Sequence, residues 1–341
     1  MRPVLITGAA GFIGAALVKK LLSEGERVIG IDNINEYYDT SLKYARLQYI
    51  ESSSQEYLKN WVFHKLGIEN IDEIKEIFTK ESPRIVVNLA AQAGVRYSLD
   101  NPHAYVQSNL VGFCNLLEMC RHYEVENLIY ASSSSVYGGN TNLPFNETQA
   151  VNHPVSFYAA TKKSNELMAH TYSHLYDLPA TGLRFFTVYG PWGRPDMAPM
   201  KFAKAILEGD PIQVFNFGRM KRDFTYIDDV VESIFRCCYL QATVNNNFDK
   251  SNPDPCTSFA PHRIFNVGNS QPTELDIFIN LLEKSLSTKA IRDLLPMQPG
   301  DVVATAADTQ KLKDWTGFSP STSLEDGIQC FAEWYLSFYQ S

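Results

Sequence analysis

The sequence holds no apolar stretch near the roughly 20 residues needed to span a bilayer, no run of lysine or arginine, and no Cys-x-x-Cys pair. Each absence removes a class of function. No membrane-spanning helix is expected, and the first apolar strand begins so close to Met1 that a signal peptide has no room, so a soluble, cytoplasmic protein is expected. With no basic run and a formal net charge of −8, nucleic acid is not an expected partner, although isolated basic residues remain free to grip a phosphorylated ligand. The six cysteines (Cys114, Cys120, Cys237, Cys238, Cys256, Cys330) are scattered, four of them in apolar helical patterns as reduced core cysteines are, so neither disulfides nor a metal site is expected. His170 and His174 stand four apart and read as a helix face or a subunit interface more readily than as a metal site. No repeat or low-complexity tract is present.

What is present is alternation. Short apolar runs at 4–6, 27–31, 61–65, 85–89, 127–131 and 180–185 are separated by helical patterns at 12–23, 71–80, 102–123 and 158–176. That order predicts an α/β fold with a Rossmann-type doubly wound parallel sheet. After about residue 190 the pattern loosens into Pro- and Gly-rich segments with short helices, which suggests a smaller mixed α/β lobe that binds substrate. We expect residues 1–183 to form the first domain and 184–341 the second. A helix at 226–240 and a strand at 263–267 look regular enough to return to the first domain, through segments near 223–240 and 263–268, and 242–261 reads as a surface loop.

Between the first strand and the first helix lie Gly8, Gly11 and Gly14, with Phe12 and Ile13 between the last two. The missing side chains permit a tight turn and let the helix N-terminus approach a pyrophosphate. Asp32 follows at the end of the second strand, where a carboxylate accepts hydrogen bonds from adenosine ribose hydroxyls and repels a 2′-phosphate, which favours NAD over NADP. Asn33 and Asn35 either assist it or form an ordinary polar loop. Leu89, Ala90 and Ala91 end the fourth strand with small residues, as needed where backbone meets the cofactor closely. Asn109, inside an apolar helix, is either a buried polar group or a backbone anchor for this floor, and we count it on the cofactor side.

Tyr158 and Lys162 are four apart on a predicted helix and so share a face. A free tyrosine has a pKa of about 10, so making it a base at pH 7 needs about 3 units, or about 4 kcal/mol. An adjacent ammonium supplies much of that and can also reach a cofactor ribose. Together with the glycine turn, the pair points to redox chemistry.

TGAAGFIG at 7–14, the Tyr158/Lys162 pair, the serine-rich strand end at 131–137 and RDFTY at 222–226 resemble the extended short-chain dehydrogenase/reductase superfamily. NLAAQAGVRYS at 88–98, FFTVYGPWGRPDM at 185–197 and LPMQPGD at 295–301 narrow the resemblance to the UDP-glucuronate 4-epimerase family, almost end to end. The resemblance implies reversible inversion at C4 of UDP-glucuronate to UDP-galacturonate through a 4-keto intermediate, with tightly bound NAD and a homodimer built on the helices around 113–120 and 167–176. Tyr158 would take the C4 hydroxyl proton, with Lys162 lowering its pKa and holding the nicotinamide ribose. Ser133, Ser134 and Ser135 would bond the C4 oxygen or the sugar carboxylate. Once C4 is a ketone the C6 carboxylate is that of a β-keto acid, and Thr187 and Arg194 would hold it ionised against loss of carbon dioxide. Arg96 would touch the sugar or a phosphate and Arg222 the diphosphate. Gln213, Val214 and Phe215, in the stretch 213–216, would meet the uracil largely through backbone contacts, with Asp301 also on the substrate side and Ile68 on the cofactor side.

At Gly67 the sequence departs from the pattern, which places an aspartate there for the adenine amino group, so that contact is expected to be either lost, with weaker NAD retention, or supplied differently. Rival readings are a UDP-glucuronate decarboxylase, a UDP-glucose 4-epimerase and a non-catalytic NAD-sensing regulator. A 4,6-dehydratase is disfavoured, because such enzymes place an Asp-Glu pair where this chain has Ser134 and Ser135.

Overall fold

The computed structural model describes residues 2–52, 55–298 and 301–340. Its strands, in chain order, are β1 (Val4–Thr7), β2 (Val28–Asp32), β3 (Trp61–Lys65), β4 (Ile85–Asn88), β5 (Asn127–Ser133), β6 (Ala180–Phe185), β7 (Thr187–Tyr189), β8 (Pro211–Phe215), β9 (Lys221–Tyr226), β10 (His262–Val267), β11 (Pro272–Glu274) and β12 (Ile291–Leu295). Seven of them form one parallel sheet in the order β10-β6-β5-β4-β1-β2-β3. Every residue of β1, β2, β4 and β6 is buried, as strands covered on both faces must be, and this is why they read as short unbroken apolar runs.

Alternation sorts the side chains to two cores. Val4, Ile6, Val28 and Val87 pack with the helices Phe12–Ser23 and Ile227–Cys238 on one face. Leu5, Ile29, Ile31 and Val86 pack with Ile71–Glu81, Gly112–His122 and Phe157–Tyr176 on the other. The first core continues into later parts of the chain through Val214, Phe224, Phe278 and Phe331. Outside the main sheet, β11, β9 and β7 form a three-stranded sheet and β12 and β8 a parallel pair.

The strand order reverses direction between β1 and β4, and a crevice at the C-terminal ends of the strands there is where open α/β sheets bind ligands. Thr7 donates to Asn88 Oδ1 at 2.7 Å and accepts from the Ala90 amide at 3.1 Å, tying the two strand ends together.

Several elements differ from expectation. The helix expected at 102–123 is broken by a π-helical stretch, Val106–Val111, before Gly112–His122. The Asn109 carbonyl there accepts from Asn165 Nδ2 at 2.6 Å, a side-chain bond in place of a regular ladder. β5 runs to Ser133, two residues beyond the expected end. The chain after 190 carries more than short helices, closing with the 16-residue Leu324–Tyr339. Buried helix Ser41–Glu51 had no expectation, because Lys43 and Arg46 lie on its buried side and blur the apolar stripe.

Candidate active site

At the sheet's reversal point lies a cavity of about 790 Å³, which runs from Gly8 past Tyr158 to Phe215 and Arg222. Its floor is backbone. Gly8 has φ +73°, and a Cβ there would lie 2.8 Å from the Ala90 nitrogen; a Cβ on Gly14 would lie 2.0 Å from the Gly8 carbonyl oxygen. The turn thus brings the end of β1, the end of β4 and the start of the first helix to within backbone contact, leaving the helix N-terminus open to the cavity. Gly11, Phe12, Ile13, Leu89, Ala90 and Ala91 line the same end.

Asp32, at the end of β2, accepts from the Ala10 amide at 3.2 Å and the Ile34 amide at 2.8 Å, so its carboxylate is fixed where it borders the cavity. Asn33 and Asn35 line the wall beside it. Lys43, which no sequence signal marked, donates to Asn35 Oδ1 at 2.8 Å and stands 3.9 Å from Asp32. A floor without side chains and a fixed carboxylate beside it fit the pyrophosphate and adenosine ribose of a dinucleotide.

Tyr158 and Lys162 project from the helix Phe157–Tyr176 into the cavity. Burial raises the Tyr158 pKa, and the Ser133 hydroxyl and Arg194 cation pull it back. Burial lowers that of Lys162 to about 8. The lysine ammonium donates to the Ala131 carbonyl at 2.8 Å and sits 6.0 Å from the centre of the Tyr158 ring. Ser133, Ser134 and Ser135 line the cavity, and the Ser133 oxygen also accepts from the Ser135 amide at 3.1 Å. Ser133 ends β5, and the neighbouring Ser132 hydroxyl donates to Glu166 at 2.7 Å, which in turn pairs with Arg184 at 2.8 Å. Burial works against the Glu166 carboxylate, but Arg184, Lys163 and Ser132 outweigh it and hold its pKa down at about 2.

Across the cavity stands Arg194, paired through Nε and Nη2 with the carboxylate of Asp196. Tyr37 donates to the same carboxylate at 3.2 Å. Arg194 is half-buried, and the Asp196 carboxylate outweighs the desolvation and keeps its guanidinium charged. The loop before it is held by Arg46, fully buried, which donates to the carbonyls of Trp192 at 2.7 Å, Gly193 at 3.0 Å and Ala10 at 3.2 Å. Thr187 lines the wall nearby. Tyr37, Arg46 and Asp196 were missed as functional residues; only Asp196 left a trace, two positions after Arg194.

At the far end Arg96 pairs with Asp301 at 3.0 Å and lies 4.8 Å from the centre of the Phe215 ring. Arg222 Nη1 donates to the Val303 carbonyl at 3.2 Å. Gln213 and Ile68 also line the cavity.

Of the two readings of Asn109, the structure has the backbone anchor: it accepts from the Gln92 amide at 2.8 Å and donates to the Gln92 carbonyl at 3.1 Å, beneath the floor and not on the cavity lining itself. The Val214 side chain is fully buried in the core, which leaves its backbone as the part that can meet a ligand. The carboxylates that line the cavity are Asp32, Glu69, Asp196 and Asp301, none of them on the serine segment. No helix among the described residues is long and apolar enough to cross a membrane.

The chain matches the family described as GDP-mannose 4,6 dehydratase over residues 5–331. It is 52% identical to Protein CapI of Staphylococcus aureus, over 99% of each chain. It is 46% identical to the probable UDP-glucuronate 4-epimerase of Rhizobium meliloti, over 98% of this chain and 97% of that one. Among solved structures, UDP-glucuronic acid 4-epimerase from Bacillus cereus in complex with UDP-glucuronic acid and NAD superposes with a TM-score of 0.85, at 32% identity over 99% of this chain and 100% of that one. With cavity, fold and relatives in agreement, the chain belongs to the UDP-glucuronate 4-epimerase family of nucleotide-sugar epimerases and dehydratases.

Proposed function

We propose that the protein inverts C4 of UDP-glucuronate to give UDP-galacturonate, reversibly and with NAD as a resident cofactor. The single observation that carries this reading is the half-buried Arg194–Asp196 pair on the same cavity as Tyr158. A guanidinium held charged at the wall of a sugar site suits a uronic acid, whose carboxylate needs a cation, better than a neutral hexose. Bound NAD supplies an acceptor for a hydride from C4 and returns it to the opposite face of the same carbon. Gly8, Gly11 and Gly14 cradle its pyrophosphate, Asp32 its adenosine ribose and Lys162 its nicotinamide ribose.

Tyr158 takes the C4 hydroxyl proton and gives it back in the second half of the reaction. Ser133 and Ser135 hold the C4 oxygen, with Ser134 next to them. Arg194 and Thr187 hold the C6 carboxylate. Breaking the C5–C6 bond would leave its electron pair in the developing enolate and send the carbon out as neutral carbon dioxide. A cation that stabilises the ionised carboxylate more than that neutral product raises the barrier to this loss. Arg222 and Arg96 take the diphosphate, and Gln213 and Phe215 the uracil. Residues 184–341 that lie outside the main sheet form the sugar-nucleotide lobe, while 223–240 and 263–268 belong with residues 1–183.

The same reading includes a cytoplasmic homodimer. Leu167 and Leu175, each 59% exposed, and Tyr176 offer an apolar face on the helix Phe157–Tyr176. The six free cysteines suit a reducing compartment.

Proton NMR of UDP-glucuronate incubated with the purified protein tests the function. Growth of UDP-galacturonate to a constant ratio is expected. UDP-xylose or a pentosyl ketone would mean a decarboxylase instead, and an unchanged spectrum with added NAD would leave a neutral UDP-sugar or a sensing role.

A further inference from the structure

The adenosine end of the cavity is walled by the apolar side chains of Ile31, Leu66 and Ile68, with Asp32 on one side and Gly67 and Glu69 on the other. Asp32 is occupied by two backbone amides and by its place beside the ribose. Glu69 is different. Its carboxylate lies in the space that a side chain on Gly67 would fill: a Cβ at position 67 would stand 2.2 Å from Glu69 Oε1 and 2.7 Å from Oε2. Position 69 thus places its carboxylate close to where a short acidic side chain at 67 would place its own, and in this position it takes the space that glycine at 67 leaves open.

Among the described residues no hydrogen bond or ion pair is made by the Glu69 carboxylate, while its backbone is fixed by Asn115, whose Nδ2 donates to the carbonyls of Ile68 at 3.1 Å and Glu69 at 3.0 Å. A carboxylate only accepts hydrogen bonds. Among the groups of an adenosine, the ribose hydroxyls belong to Asp32, and the remaining donor is the exocyclic amine of the base. Apolar walls on the faces of a ring and one acceptor at its edge make a base-reading slot.

We infer that Glu69 accepts a hydrogen bond from the adenine amino group of the dinucleotide and so selects adenine at this end of the site, in the place left open by Gly67. The inference rests on the NAD reading above. It removes the expectation of weak retention drawn from Gly67, because the acceptor is displaced by two residues and not lost.

The test is a competition between NAD and its deaminated form, in which a carbonyl replaces the adenine amine and faces the carboxylate with a second acceptor. Full-length protein is incubated with an equimolar mixture, freed of unbound dinucleotide, and the bound species are counted by mass spectrometry. The native protein should favour NAD about tenfold, the range expected when a hydrogen bond to a charged acceptor is replaced by a facing acceptor. Glu69→Ala and Glu69→Gln should bring the ratio to within about twofold of unity. Gly67→Asp in the Glu69→Ala background should restore the preference, whereas Gly67→Asp alone should weaken binding of both forms, since two carboxylates would claim one space. Glu69→Ala that keeps the native preference, or a double variant that does not regain it, would overturn the role of Glu69 while leaving NAD binding in place. Failure of the native protein to bind either dinucleotide would overturn the NAD reading and this inference with it.

Discussion

The floor of the cavity, at Gly8, Gly14, Leu89 and Ala90, and its wall, at Tyr37, Arg46, Arg194 and Asp196, are built by opposite means. The floor works by the absence of side chains, so that backbone meets backbone at distances a Cβ would forbid. The wall works by long side chains from segments well over a hundred residues apart, joined through charge: Arg46 reaches Trp192, and Tyr37 reaches Asp196. A floor of this kind is a local property of a short string and tolerates no added atoms. A wall of this kind tolerates changes of shape and fails when a charge is lost.

The widest test of that contrast lies where the two meet. Tyr158→Phe keeps the ring that packs 6.1 Å from Tyr105 and removes only the proton acceptor, so epimerisation should fall by about 10³-fold or more with cofactor content unchanged. Loss of the cofactor together with activity would mean that the hydroxyl builds the floor and does no chemistry. On the wall, Arg194→Ala should cut epimerisation by about 10²-fold and, with the carboxylate released, yield carbon dioxide and a pentose product detectable by NMR. A tenfold or smaller loss with no carbon dioxide would remove the carboxylate role.

On the floor, Gly14→Ala puts a methyl group 2.0 Å from the Gly8 oxygen. Thermal unfolding should show a loss of about 2–3 kcal/mol and the purified protein should carry little NAD. A smaller effect of opposite sign is expected from Lys162→Met. Burial lowers the Lys162 pKa from its ordinary 10.5 to about 8, so below about pH 8 folding carries the cost of a buried charge. Between pH 8 and 10.5 the unfolded chain holds the proton that the folded chain has released, and the native protein gains stability as pH rises. At pH 7 the cofactor-free variant should be more stable than the native chain by roughly 1–3 kcal/mol and should lack that gain between pH 8 and 10.5. Equal stability at pH 7 would mean that the bond to the Ala131 carbonyl already offsets the burial.

The same contrast explains what the sequence disclosed. The parallel sheet was legible because its strands are buried on both faces and punctuated by turn residues, and the glycine turn because its spacing is local. The pair Tyr158/Lys162 was legible because a helix fixes the meaning of four residues. Asn109 was placed on the right side of the cavity and, counted as a cofactor contact, one layer too shallow, since a polar residue in an apolar helix says that a partner exists and not which one. Tyr37, Arg46 and Asp196 stayed hidden because each acts through a partner that only the tertiary fold supplies.

The central claim is that one carbon is oxidised and re-reduced in place, with no exchange of its hydrogen with water. UDP-glucuronate deuterated at C4, converted by the native protein in ordinary water, should give UDP-galacturonate that keeps the deuterium at C4. Product with protium at C4 would contradict the account, because the inversion would then pass through a species that exchanges with solvent.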